Sequence, residues 1–225
     1  MQRTIVITGT DTSVGKTVFT AALAAHLQAQ GASVAALKPL CSGGRADARA
    51  LCRALGGTLT LDEINPEHFR APVAPLLAAR KEGRSITLRG VVAHARRTES
   101  RFDVLLVEGA GGLLSPLGEG FDTRDLIRAL RAEVIIVARN QLGVINHVRL
   151  TLEALPADAA RTARIILMAP PRPTAASRDN ASLLREFAGK IPVIEFPWLP
   201  GGWSGRPGGQ AAVRKALHAA LPRPA

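Results

Sequence analysis

The residues Gly9-Thr10-Asp11-Thr12-Ser13-Val14-Gly15-Lys16-Thr17 hold the densest chemistry in this sequence. A Gly-rich turn that ends in Gly-Lys-Thr and opens a helix binds phosphate. Its backbone N–H groups converge on one point, and the helix N-terminus adds positive potential there. Lys16 would lie along the β- and γ-phosphates, and the Thr17 hydroxyl would bind Mg²⁺. The strict pattern wants Gly at position 10, where this chain has Thr10 with Gly9 one residue earlier. The context restores the reading. Thr4-Ile5-Val6-Ile7 precedes the turn as a strand, and Val18-Phe19-Thr20-Ala21-Ala22-Leu23 follows it as a helix. A nucleoside triphosphate is the expected occupant.

Three further residues suit the same chemistry. Glu108 ends an apolar run in Val107-Glu108-Gly109-Ala110-Gly111-Gly112. The glycines let a ligand approach, and a magnesium site wants one or two carboxylates. Lys38 closes another apolar run. Burying its charge unpaired is costly, so it should face a crevice where an anion balances it. Asp47 opens Asp47-Ala48-Arg49-Ala50-Leu51 and reads either as a helix N-cap or as a second metal carboxylate.

The elements that must position these residues alternate along the chain. Apolar runs at 4–8, 33–38, 102–107, 134–138, 164–168 and 192–196 read as strands. Cores such as Val104-Leu105-Leu106-Val107 and Val134-Ile135-Ile136-Val137 are continuous, not alternating, which marks strands buried on both faces. Helices are expected at 46–55, 88–100, 123–132, 144–155, 177–188 and 210–221. The helix after the phosphate loop carries Phe19, Leu23 and Leu27 on one stripe and stops at Gly31. Pro170, Pro171 and Pro173 mark a loop, and 200–209 reads as a flexible surface loop by composition. The expected architecture is one α/β domain over 1–225, a P-loop NTPase-like parallel β-sheet flanked by helices on both faces. Ligands of such sheets sit beyond the carboxyl ends of the strands, here segments 9–17, 39–47, 108–117, 139–146, 169–174 and 197–199.

Composition narrows the function classes. With 225 residues and 47% hydrophobic content the chain can bury a sizeable core. Cys41 and Cys52 lack both a disulfide framework and zinc-site spacing, so they read as free thiols in a reducing compartment. The net charge of +11 comes from scattered arginines with no Tyr among them, which reads as a solvated basic surface, not a nucleic-acid site. No apolar run approaches bilayer length. The loop starting at Gly9 leaves no room for a signal peptide. The expectation is a cytoplasmic protein without a membrane or nucleic-acid partner.

The chain resembles the dethiobiotin synthetase family over nearly its whole length. The residues that carry the resemblance are Gly9-Thr10-Asp11-Thr12 with Val14-Gly15-Lys16-Thr17, Lys38-Pro39 with Ser42-Gly43, Asp47-Ala48 with Ala50-Leu51, Val107 to Gly112, Leu142-Gly143 with Ile145-Asn146-His147, and Pro197-Trp198-Leu199. The resemblance implies closure of a cyclic urea from 7,8-diaminopelargonic acid, carbon dioxide and ATP with Mg²⁺. It gives catalytic roles to Lys38 and Lys16. It assigns the nucleotide to Ser13, Val14, Gly15, Lys16, Thr17, Val18, Asp47, Glu108, Gly109, Ala110, Gly111, Pro197, Trp198 and Leu199. Substrate contacts fall to Thr12, Ser42, Gly143, Val144 and Asn146, the last three across a homodimer interface, and the metal falls to Thr17, Asp47 and Glu108. His147 reads as a structural histidine.

The chain departs from the pattern of the family it resembles at the base end. Many relatives carry Asn-Asp after the fifth strand, with the Asn reading adenine, where this chain has Ala169-Pro170. Proline offers no side-chain donor, which implies a permissive nucleotide preference. Ser204 stands near where another base-side carboxylate is often found. Two other readings share the ATP-binding fold. Partition-type or septum-positioning switch ATPases typically carry an additional Lys early in the loop, where this chain has Thr10-Asp11-Thr12. Amidating synthetases of corrinoid biosynthesis need a glutaminase domain, for which 225 residues leave no room.

Overall fold

The structure, a computed structural model, describes residues 2–203 and 211–221. Residues 204–209 of the expected surface loop, Ser204 among them, lie outside the described residues, as does the expected helix start at Gln210. The strands of the main sheet are β1 (Arg3–Gly9), β2 (Val34–Leu37), β5 (Val104–Glu108), β6 (Glu133–Arg139), β7 (Arg164–Met168) and β8 (Val193–Phe196). All six runs expected as strands are strands, with ends shifted by at most two residues. They form one parallel sheet in the order β2-β5-β1-β6-β7-β8.

Both faces of this sheet are covered. In β6 and β7, Val137 and Ile166 join the large core cluster, while Ala138, Ile165 and Leu167 join a second one with Val144, Val148 and Leu184. Neighbouring strand residues thus bury on opposite faces, which is why these runs show no alternation. The helices after the phosphate loop and along the chain include α1 (Lys16–Ala29), α2 (Ala46–Ala54), α5 (Leu88–Glu99), α6 (Thr123–Leu130), α7 (Val144–Ala154), α9 (Ala175–Phe187) and α10 (Ala211–Ala220). Phe19 of α1 meets Phe196 of β8 edge-to-face at 5.4 Å between ring centroids, tying the first helix to the last strand.

Several short elements carried too little pattern to be expected. They are β3 (Leu40–Ser42), β4 (Glu67–Phe69), α3 (Leu61–Ile64), α4 (Pro75–Lys81) and α8 (Ala157–Ala160). The first two form a small parallel sheet of their own. Three residues per strand are too few for periodicity to register. A local signal did exist for α3: Thr60 accepts from Glu63 N–H while the Glu63 carboxylate accepts from Thr60 N–H, a capping box.

Topology explains where the site must form. β1 lies centrally, β5 and β2 lie on one side of it, and β6, β7 and β8 on the other. The order of strand addition reverses at β1, so a crevice opens beyond its carboxyl end. Register then sets the neighbours of that crevice. Ile7 pairs with Glu108 and Leu37 with Val107, so Lys38, one step past β2, comes level with Glu108. Among the described residues no helix is long and apolar enough to cross a membrane.

Candidate active site

The phosphate loop needs glycine at defined places. Gly15 takes φ of 104° as it turns into α1, and a Cβ there would meet the Met168 side chain at 3.0 Å. A Cβ on Gly9 would lie 2.8 Å from the Asp11 carbonyl oxygen and 2.9 Å from Lys16 Nζ. Ser13 also adopts positive φ, 57°, which a serine tolerates less readily than glycine. The Arg139 guanidinium donates to the Ser13 carbonyl at 2.6 Å and braces that turn. Lys16 Nζ folds back to donate to the Asp11 carbonyl at 2.7 Å. Burial, and then the charge of Lys38, pull the Lys16 amine down to about 8.

One carboxylate organises the other charged groups. Thr17 Oγ1 donates to Glu108 Oε1 at 2.7 Å, and Lys38 Nζ donates to the same oxygen at 2.8 Å. Lys38 Nζ also donates to the Gly109 carbonyl at 2.9 Å and stands 3.3 Å from Asp47 Oδ2. Lys38 and Glu108 are both buried. Burial by itself lowers the Lys38 pKa, but Glu108 and Asp47 outweigh it and hold the amine above its ordinary range. Glu108 Oε2 is buried with no hydrogen-bond partner.

That orphaned oxygen, the Thr17 hydroxyl and the half-exposed Asp47 carboxylate form an all-oxygen set beside the phosphate loop. Hard cations that share a phosphate suit such donors. No group of three or more His, Cys, Asp or Glu side chains able to hold a metal occurs among the described residues. A metal here would therefore rely on phosphate oxygens and water for its remaining ligands.

Three cavities meet around the loop. The largest, about 650 Å³, is lined by Thr12, Ser13, Gly15, Lys16, Thr17, Val18, Lys38, Ser42, Asp47, Glu108, Ala110 and Gly111 among others. It gathers most residues expected of the site, together with Ser115 of the selected segment 108–117 and a wall from Pro72 to Pro75, which sequence reasoning missed. The Pro72-Val73-Ala74-Pro75 composition marks a loop but not a cavity wall. Cys41 lines it too, with burial pushing its thiol up to about 11, which disfavours the thiolate.

A second cavity of about 360 Å³ adjoins through Ser13, Gly15 and Val18. Val14, Pro197, Trp198 and Leu199 line it with Arg139, Met168, Ala169, Pro170 and Pro171. Arg139 was within reach of sequence reasoning, because it ends β6 in one of the six selected segments. A third cavity, also about 360 Å³, lies across the loop between Thr10, Asp11, Gly112 to Ser115, and the α7 residues His147, Leu150, Thr151 and Ala154. His147 is exposed and lines this cavity, so it is not a structural core histidine.

Gly143, Val144 and Asn146 are not brought to these cavities. Gly143 is the left-handed N-cap of α7, with φ of 92°. Val144 is buried in the second core cluster, and Gly143 and Asn146 are exposed. Gly109 contributes its carbonyl to Lys38 and does not line the large cavity.

Similarity to known proteins agrees with this geometry. A family described as an AAA domain matches residues 3–201. The ATP-dependent dethiobiotin synthetase BioD of Anaeromyxobacter dehalogenans is 40% identical over 203 residues, 88% of this chain and 91% of that protein. The BioD of Rhodococcus erythropolis is 42% identical over 203 residues, 87% of each chain. The BioD of Bacillus licheniformis is 38% identical over 194 residues, 84% of this chain and 82% of its own. Among solved structures, the MinD cell division protein of Aquifex aeolicus superposes with a TM-score of 0.59 at 16% identity, covering 97% of this chain and 95% of that one. A ParA family ATPase from Chlorobium tepidum gives 0.58 at 15% identity, covering 96% and 97%. At that identity the two structures speak for the P-loop NTPase fold alone. The length and identity of the shared sequence with the synthetases decide the membership: this chain belongs to the ATP-dependent dethiobiotin synthetase family.

Proposed function

We propose that this chain is a ligase of biotin biosynthesis that closes the ureido ring of dethiobiotin, using ATP, 7,8-diaminopelargonic acid and carbon dioxide. One observation carries the reading: Lys38 and Thr17 converge on one oxygen of Glu108 at the seam between the phosphate loop and the large cavity. A substrate amine captures carbon dioxide as a carbamate. The carbamate oxygen attacks the γ-phosphorus, ADP leaves, and a carbamic–phosphoric anhydride results. The second amine attacks the carbonyl carbon, and phosphate departs as the ring closes.

Both reactants of the phosphoryl step are anions, so positioning and charge neutralisation supply most of the catalysis. Lys16 faces the β- and γ-phosphates. Lys38, kept charged by its carboxylate neighbours, draws the carbamate to the γ-phosphate. Thr12 and Ser42 contact the diamine. Thr17, Asp47 and Glu108 would hold Mg²⁺, which would supply positive charge to offset that of the transferring phosphoryl group. The second cavity takes the base and ribose between Met168 and Trp198.

Gly143 and Asn146 fit this reading in a homodimer. The N-terminus of α7 suits a carboxylate, and Leu142 beside it is 86% exposed, the highest value among large apolar side chains of the described residues. A second copy would cover it and bring that helix end to the first copy's diamine.

The test is direct. Protein, ATP, Mg²⁺, bicarbonate and 7,8-diaminopelargonate are incubated and dethiobiotin is sought by mass. Its formation, with ADP in equal amount, supports the reading. ATP hydrolysis that responds to DNA and not to the diamine would overturn it in favour of a switch ATPase.

A further inference from the structure

Arg45 and Asn65 lie outside the residues that line the three cavities, yet they are tied to two of the charged groups inside. Asn65 is fully buried. Its Nδ2 donates to the Lys38 carbonyl at 2.8 Å and to the Glu67 carbonyl at 3.0 Å, with the Pro39 carbonyl at 3.4 Å. Its Oδ1 accepts from Arg45 Nε at 3.0 Å. Arg45 Nη2 donates to the carbonyls of Leu61 and Asn65 at 2.7 and 2.9 Å, and Nη1 pairs with Asp62 at 2.7 Å. Every polar atom of the amide is used. The orientation of Asn65 is also unambiguous, since its donors face carbonyls and its acceptor faces a guanidinium.

The place of this pair in the chain gives it a second effect. Gly43 and Gly44 both take positive φ, 75° and 118°, so the backbone into α2 follows a path open to few other residues. Arg45 comes next and is the N-cap of α2, two residues before Asp47. The guanidinium fork therefore anchors the start of α2, the turn that carries Asp47. The same fork, through Asn65, grips the Lys38 carbonyl. One bolt sets both ends of the Lys38–Asp47 contact.

We propose that Arg45 and Asn65 are positioning residues for the chemical step, holding Lys38 against Asp47 where the carbamate meets the γ-phosphate. The proposal rests on the ring-closing reading above. Lysine at 45 has no fork to reach Asn65 Oδ1 and the two carbonyls together. Aspartate at 65 keeps the size and the Arg45 contact but loses the donor to the Lys38 carbonyl. Misplacing a reacting group by about 1 Å costs roughly 100-fold in rate, so both variants should lose turnover while Mg²⁺-free ADP binding, made by the phosphate loop and the second cavity, stays.

The experiment compares the parent with Arg45→Lys, Asn65→Asp and Arg45→Ala. Dethiobiotin formation by the parent establishes the reading independently. The expected result is a kcat lower by roughly 10- to 100-fold, with Mg²⁺-free ADP affinity within about twofold of the parent, and partial recovery of Arg45→Ala turnover by added guanidinium ion. Folded variants that keep parental kcat overturn the proposal, and so does Mg²⁺-free ADP affinity falling in step with kcat. A structure of Asn65→Asp with ADP gives an answer free of activity. A Lys38–Asp47 separation still near 3.3 Å overturns the proposal, and a longer one supports it.

Discussion

Lys38 Nζ stands 2.8 Å from Glu108 Oε1, each buried and each at the carboxyl edge of neighbouring parallel strands. Neither residue could occupy its place alone, because an unpaired charge there would be exposed to a low-dielectric interior. The pairing is written into the strand register, since Leu37 faces Val107 one step earlier.

Replacing Lys38 by Ala should abolish ring closure while ADP still binds, because the phosphate loop is untouched. It also strands a buried carboxylate, which costs about 3 kcal/mol. Assays of dethiobiotin formation and urea denaturation check both parts. Undiminished turnover would remove Lys38 from the mechanism.

Lys16, pulled down to about 8, loses its proton in the folded chain before it does in the unfolded one, where the value is 10.5. Between those values the unfolded state binds more protons, so this group makes stability rise with pH across that window. Nucleotide affinity should move the opposite way and weaken above about pH 8. Binding above that pH should take up a proton as the phosphates restore the ammonium. Calorimetry in buffers of different ionisation enthalpy reads that uptake, and Lys16→Met should abolish it.

The base cavity offers little to read. Pro170, Pro171 and Pro197 have no N–H, and the Ala169 N–H already donates to the Phe196 carbonyl at 2.8 Å. If this cavity takes the base, Arg139 is the one charged side chain among the described residues of its lining and stacking and shape supply the rest, so ATP, CTP and GTP should support turnover within roughly tenfold of one another. Trp198→Ala should raise KM for all three alike, by roughly tenfold. Strict dependence on ATP would sink this expectation.

Asn146→Ala should raise KM for the diamine and leave KM for nucleotide unchanged, and sedimentation should give twice the mass of one chain. Leu142→Asp should shift sedimentation toward the single chain and lower activity with it. A monomeric parent at assay concentration, fully active, would exclude the shared site.

The six strands and the phosphate loop were legible because each rests on a local pattern long enough to read. Val134-Ile135-Ile136-Val137 declares a doubly buried strand, and Gly15-Lys16-Thr17 declares its turn. Lys38 was legible as a charge that an apolar strand would not tolerate unpaired, and Glu108 as a carboxylate at a strand end followed by glycines. What stayed hidden was the pairing between segments far apart. Nothing around Asn65 or Arg45 says that they meet, since their contact depends on how 39–67 folds back through two strands of three residues each. His147 was misread for a related reason. Its helix was predicted, but the direction of its side chain follows from what packs beneath α7, not from the residues beside it.

Glu108 and Lys38 serve as each other's counter-ion, and that has a consequence for the cell. A newly made chain can complete this part of its interior without borrowing charge from a nucleotide or a metal ion. Folding of that part of the interior should therefore not wait on ATP, and thermal unfolding of the chain should be measurable without any added nucleotide.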